Sequence, residues 1–129
     1  MADSFRHQGL RKQLIEYLAS KGISDIKVLN AMNKIPRHLF MDNAFINFSY
    51  QDKAFPIGAG QTISQPYTVA FQSQLLEVSP YDKVLEVGTG SGYQAAVLSL
   101  LDAEVFTIER QRELFLQTKK FLPTLGYNC

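Results

Sequence analysis

The chain has 129 residues, with 13 Lys and Arg against 12 Asp and Glu and a hydrophobic share of 46%. This is the balance of a folded domain long enough for one core, and a net charge of +1 without any basic run gives no field for capturing nucleic acid. The one cysteine, Cys129, excludes a disulfide framework and points to a reducing compartment.

Asp3, Arg6, Arg11 and Lys12 leave no room for the apolar run of a secretory leader. The longest apolar stretch, residues 95–101, is broken by Ser99 and is far shorter than the ~20 residues of a membrane span. The expectation is a soluble, cytoplasmic protein that binds neither membrane nor nucleic acid.

Leu10, Leu14, Tyr17 and Leu18 form one apolar stripe at helical spacing, and Gly22 is a natural stop. Ser24 can cap a second helix with the stripe Val28, Leu29, Met32 and Ile35, ended by Pro36. Periodicity is lost over 37–66. Phe45, Phe48, Tyr50 and Phe55 alternate there with Asn, Pro and Gly, which predicts a loop region anchored by aromatic side chains.

The second half reads differently. Residues 68–78 predict a helix, Lys83–Val87 a short buried strand, 93–101 an apolar helix, Glu104–Ile108 a second strand and 111–122 a last helix closed by Pro123 and Gly126. Strand–helix–strand–helix is the pattern of an α/β fold with a parallel sheet covered on both faces. Open sheets of this kind have five or more strands, and two are legible here. The expectation is therefore an N-terminal helical and loop region, 1–66, followed by the first half of a Rossmann-like domain, 67–129, in a fragment of a longer protein. The alternative is a small domain completed by a partner or by a second copy.

Gly88, Gly90 and Gly92 follow the first of these strands and precede a helix, which permits a tight turn and close approach of a ligand to the backbone. No Lys-Ser/Thr follows, so this is not a P-loop. The spacing G-x-G-x-G also departs from the dinucleotide fingerprint. Glu86 would place a negative charge beside a pyrophosphate, whereas it suits a ligand bearing an ammonium and a sulfonium. Glu109, at the end of the next strand, is placed to accept hydrogen bonds from ribose hydroxyls. Together these features suggest S-adenosylmethionine. A purely structural turn is the competing reading of the glycines.

Gly-Gln-Thr-Ile-Ser-Gln-Pro-Tyr at 60–67 reads as a binding loop or as an ordinary turn with a helix cap. With Val-Leu-Glu-Val-Gly-Thr-Gly-Ser-Gly-Tyr at 84–93, it resembles the two signature segments of the protein-L-isoaspartate O-methyltransferases. Pro36-Arg37-His38-Leu39-Phe40 and Ala54-Phe55-Pro56-Ile57-Gly58 are similar to that family as well.

The resemblance implies an incomplete Rossmann-like, class I methyltransferase sheet preceded by helices, with S-adenosylmethionine as cofactor and isoaspartyl proteins and peptides as substrates. It implies that Ser64 is the active-site serine, that Thr62 and Ile63 line the same cleft, that Gly88, Gly90, Gly92 and Glu109 hold the cofactor, and that Glu86 supports its methionyl end. It also implies a repair reaction, in which the methyl ester closes to a succinimide that reopens partly to normal aspartate. Some family members carry Ala-Pro-His where this chain has Gln65-Pro66-Tyr67, which leaves the role of Tyr67 open.

An isoaspartyl α-carboxylate, with a reference pKa of about 3.3–3.7, is already ionised at neutral pH, so the chemistry needs no general base. His7 and His38 suggest no metal site. His38 reads as structural, with a role near the peptide site as the alternative, and the aromatic group 45–55 reads as core rather than as a substrate cage. Two further readings stand beside the methyltransferase: an NAD-dependent oxidoreductase, and a non-catalytic chain that dimerises through an open sheet edge.

Overall fold

A computed structural model describes residues 3–129. Helix α1 (Phe5–Ser20) starts at Ser4, whose Oγ accepts from the His7 N–H at 3.2 Å. It buries Leu14 and Leu18, while Tyr17, expected on the same stripe, is 44% exposed. Helix α2 (Ile26–Lys34) is capped by Asp25, one residue later than expected, through a 3.0 Å bond from the Lys27 N–H. The Ser24 and Asp25 N–H groups instead donate to Gln74 Oε1, at 2.7 and 2.9 Å. Asp25 therefore begins α2, and Gln74 holds the two residues that lead into it.

The segment 37–66 is more ordered than a loop. Two short helical turns, Arg37–Phe40 and Asn43–Phe48, precede an antiparallel hairpin of β1 (Phe55–Gly58) and β2 (Gln61–Ile63). These strands are too short to show alternation, and Pro56 argues against a strand except at a bulge or edge. The register does shift between Pro56 and Gly58. Gly58, Ala59 and Gly60 all adopt positive φ at the turn. Phe55 and Tyr50 are buried and Phe45 packs on Phe55, so these rings are core, although Phe48 is about half exposed.

Helix α3 (Pro66–Leu76) begins with proline at its first position, where a missing N–H costs nothing. Asp52 caps it from a distance, accepting from the Tyr67 N–H at 2.8 Å and from Gln65 Nε2 at 3.0 Å. The βαβ unit follows as expected: β3 (Lys83–Val87), α4 (Tyr93–Leu100), β4 (Glu104–Ile108), then α5 (Arg112–Thr124), which carries Pro123 in its last turn. β3 and β4 pair in parallel, Leu85 opposite Phe106 and Val87 opposite Ile108.

The expectation of a buried strand in a sheet covered on both faces is not met. Val105 is buried, and Val84 and Glu86 are partly covered on the same side. On the other side Leu85, Val87, Phe106 and Ile108 are 64%, 76%, 49% and 55% exposed. The apolar composition of Lys83–Val87 matches burial on two sides, but among the described residues no element covers that second face.

One cluster of buried side chains runs through the molecule, from Leu18, Val28, Met32 and Ile35 to Ile63, Val69, Ala96 and Val97. Phe40 stitches it together, meeting Tyr93 and Phe121 edge-on at 5.6 and 5.1 Å between centroids. Among the described residues no helix is long and apolar enough to cross a membrane.

Candidate functional site

The glycine loop leaves β3 and is latched at once to the end of β4: the N–H groups of Gly88 and Thr89 both donate to the Ile108 carbonyl, at 2.8 and 3.1 Å. The three glycines then differ. Gly88 has φ 92°, and a Cβ there would meet nothing within 4 Å, so its backbone lies open to a ligand. At Gly90 the space is bounded by Ile57 Cδ1 at 3.6 Å. Gly92 is buried, and a Cβ would lie 2.9 Å from Leu122 and Thr118. Its lack of a side chain is therefore demanded by the packing of α5 against the start of α4.

Glu109 closes the loop from the end of β4. Its Oε1 accepts from the Gly90 N–H and its Oε2 from the Gln111 N–H, each at 2.8 Å. These backbone bonds, from Gln111 first and then Gly90, hold its carboxyl below the ordinary range. A carboxylate has about four lone-pair positions, so acceptor capacity remains for a ribose.

Glu86 sits deeper. Thr107 Oγ1 donates to it at 2.7 Å and is itself 2.5 Å from Thr89 Oγ1. Burial pushes the Glu86 carboxyl up to about 7, the Thr107 bond opposes this, and the Glu109 charge adds to it. Thr118 Oγ1 donates to the Gly90 carbonyl at 2.7 Å, a third side chain holding the loop.

Two cavities flank this loop. One, of about 390 Å³, includes Thr89, Thr107, Glu109 and Thr118 in its lining. The other, of about 480 Å³, lies between the hairpin and the glycine loop and is bounded by Ile57, Gly58, Gly90 and Ser91. A larger hollow of about 1040 Å³ follows β4 past Phe106 and Ile108 to Cys129 and includes neither signature segment.

The fold thus brings Glu86, Gly88, Gly90 and Glu109 together. Ile57 connects them to the second loop, where Thr62 and Ser64 are exposed but line neither cavity at the glycine loop. Ile63 is 2% exposed; its side chain anchors the hairpin in the core and leaves only main-chain groups for a ligand.

His38 is 1% exposed, its Nδ1 lies 2.8 Å from the Tyr50 hydroxyl, and its ring stacks on His7. Arg11 also donates to that hydroxyl, at 3.0 Å, and forms an ion pair with Asp3 at 2.8 Å. These contacts tie α1 to the segment 38–50, and none of them is made to a residue of 60–67 or 84–92. The threonines around Glu86 and the cap from Asp52 were missed in the sequence, where isolated Thr and Asp residues carry no signal of such partners.

Comparison with known proteins identifies the family. The family model for protein-L-isoaspartate(D-aspartate) O-methyltransferase matches residues 9–128. A protein-L-isoaspartate O-methyltransferase of Christiangramia forsetii is 66% identical over 127 residues, covering 98% of this chain and 60% of the relative. The Flavobacterium johnsoniae protein of that name is 65% identical, with 98% and 59% covered. The chain therefore spans about three-fifths of the length of these curated relatives.

A solved protein-L-isoaspartate O-methyltransferase superposes with a TM-score of 0.81 at 28% identity, over 92% of this chain and 39% of that one. A structure from Plasmodium falciparum, named for the same activity and in complex with S-adenosyl-L-homocysteine, gives 0.72 at 25% identity, over 88% and 55%. With its helices and small parallel sheet forming part of a class I methyltransferase fold, the chain belongs to the protein-L-isoaspartate(D-aspartate) O-methyltransferase family.

Proposed function

We propose that this chain carries the cofactor loop and the serine loop of a cytoplasmic S-adenosylmethionine-dependent methyltransferase that esterifies the free carboxylate of L-isoaspartyl residues in damaged proteins. The observation that carries the reading is the bridge from Glu109 to the Gly90 N–H beside an unobstructed Gly88. It provides a carboxylate for a ribose and open backbone for a ligand in one place.

The residues present fit the cofactor. Gly88 and Gly90 would give it close backbone approach, Glu109 would accept from the ribose, and Glu86 would face the cationic methionyl end. Gly92 would contribute by letting α5 pack, and Thr62 and Ile63 by shaping the hairpin. Bound S-adenosylmethionine supplies a methyl group on a positively charged sulfur. The accepting isoaspartyl carboxylate is ionised without help, so the task of Ser64 is to orient it by hydrogen bonding; alignment of the reacting groups is the main source of rate.

Calorimetric titration with S-adenosylhomocysteine tests this. Saturable binding is expected, weakened by about tenfold or more in Glu109→Ala, which loses charge-assisted bonds, and unchanged in Ser64→Ala. Absence of binding, or equal affinity in Glu109→Ala, would overturn the assignment. The same titration with NAD addresses the oxidoreductase reading, against which the family match already stands.

A second reading concerns association. The exposed apolar face of Leu85, Val87, Phe106 and Ile108, on a two-stranded sheet with free edges among the described residues, favours pairing between copies of this chain.

A further inference from the structure

Arg37 is fully buried, and among the described residues no carboxylate forms an ion pair with it. Taking a cation out of water is costly unless other groups compensate it, and an apolar residue of similar size would fill the same space more cheaply. Its partners suggest what the guanidinium supplies instead. Nε donates to the Ser49 carbonyl at 3.0 Å, and Nη2 donates to the carbonyls of Ser64 at 2.9 Å and Lys53 at 3.3 Å. The guanidinium carbon lies 4.8 Å from the centre of the Tyr93 ring.

These contacts join segments far apart in sequence. Ser49 and Lys53 flank the connection into the hairpin, Ser64 directly follows β2, and Tyr93 is the first residue of α4, directly after the glycine loop. Carbonyls in irregular segments have no ladder partner and must be satisfied some other way. One planar cation with donors in a fixed fork satisfies several at once and holds them at set angles. The Ser64 hydroxyl remains exposed while its main chain is pinned. Among the described residues the remaining nitrogen, Nη1, is buried with no hydrogen-bond partner.

We propose that Arg37 is a positioning residue, which fixes the main chain of Ser64 relative to the glycine loop by bridging the Ser64 carbonyl to the Tyr93 ring. This rests on the reading of Ser64 given under Proposed function only for its consequence in catalysis; the bridge itself can be tested without it. Arg37 acts on the hydroxyl through the backbone and makes no contact with a substrate. A lysine donates from one nitrogen only and cannot span carbonyls that Arg37 reaches from Nε and Nη2.

The test is amide hydrogen exchange on the 129-residue chain, as wild type, Arg37→Met and Arg37→Ala. Arg37→Met should raise exchange over 61–66 by about tenfold or more, the change that one lost buried hydrogen bond produces, while α1 and the interior of α4 keep their protection. In Arg37→Ala, millimolar guanidinium should restore protection over 61–66, and urea at the same concentration should not.

Unchanged exchange over 61–66, uniform loosening of every element in Arg37→Met, or equal effects of guanidinium and urea would each overturn the proposal and leave Arg37 as core filling. If Arg37→Ala does not fold, the pattern in Arg37→Met decides. Failure of the wild type to bind S-adenosylhomocysteine would instead overturn the cofactor reading, and the exchange comparison would still stand.

Discussion

Glu86 in β3 and Glu109 after β4 are two carboxylates beside one loop, with opposite environments. Backbone N–H groups surround Glu109 and favour its charge, whereas Glu86 is mostly desolvated and accepts from one threonine, so its carboxyl rises to about 7. Since the folded pKa of Glu86 lies above its ordinary value of 4.5, the folded state binds more protons than the unfolded state between the two. Its contribution to stability is therefore fully present below about 4.5 and is lost as pH rises through about 7. Urea unfolding of the wild type and Glu86→Gln across this window checks the sign. The difference between them should shift against the wild type as pH rises, and a flat difference would mean that Glu86 is solvated. At this scale the sequence singles out both carboxylates; that their environments differ so strongly depends on Thr107 and on burial, which only packing reveals.

At the scale of elements, Gly92 shows how one motif can serve two purposes. It was expected in the cofactor loop with Gly88 and Gly90, yet the demand for glycine comes from α5, because Thr118 and Leu122 occupy the place of a Cβ. Gly92→Ala combines this overlap with a positive φ of 86°, and a cost of about 1–3 kcal/mol is expected. Gly88→Ala has open space but a similarly positive φ, so it should cost less stability and more S-adenosylhomocysteine affinity. Urea midpoints and calorimetry on the two variants separate these effects, and the opposite ranking would return Gly92 to the ligand.

The sequence places α2, α3, α4 and α5 close to their observed bounds, yet Phe71, Leu75 and Leu76, apolar residues that suggested α3, are exposed, so apolar spacing reported the helix without reporting its buried side. The hairpin escaped notice, since strands of three and four residues cannot display alternation and Pro56 disguises one of them. The start of α3 falls at Pro66 rather than at 68 because its cap, Asp52, is remote, whereas α2 is capped locally by Asp25 rather than by Ser24.

Across the whole molecule, the sheet carries an exposed face of Leu85, Val87, Phe106 and Ile108. An apolar surface of this kind drives association in water, so sedimentation velocity should show mass rising with protein concentration. Leu85→Lys should suppress that rise while leaving S-adenosylhomocysteine binding intact, and a concentration-independent monomer would exclude pairing through this face.

The sequence by itself determined the α/β order of elements, the parallel pair, the glycine loop with its two carboxylates and the family. All of these are written in local spacing or in contiguous motifs. The tertiary structure decided which face of the sheet is covered, that Ile63 and Gly92 are held by packing, and that Arg37 joins the two loops. Those outcomes depend on side chains meeting across many residues of chain, where burial and unsatisfied carbonyls, rather than neighbours in sequence, set the cost of each arrangement.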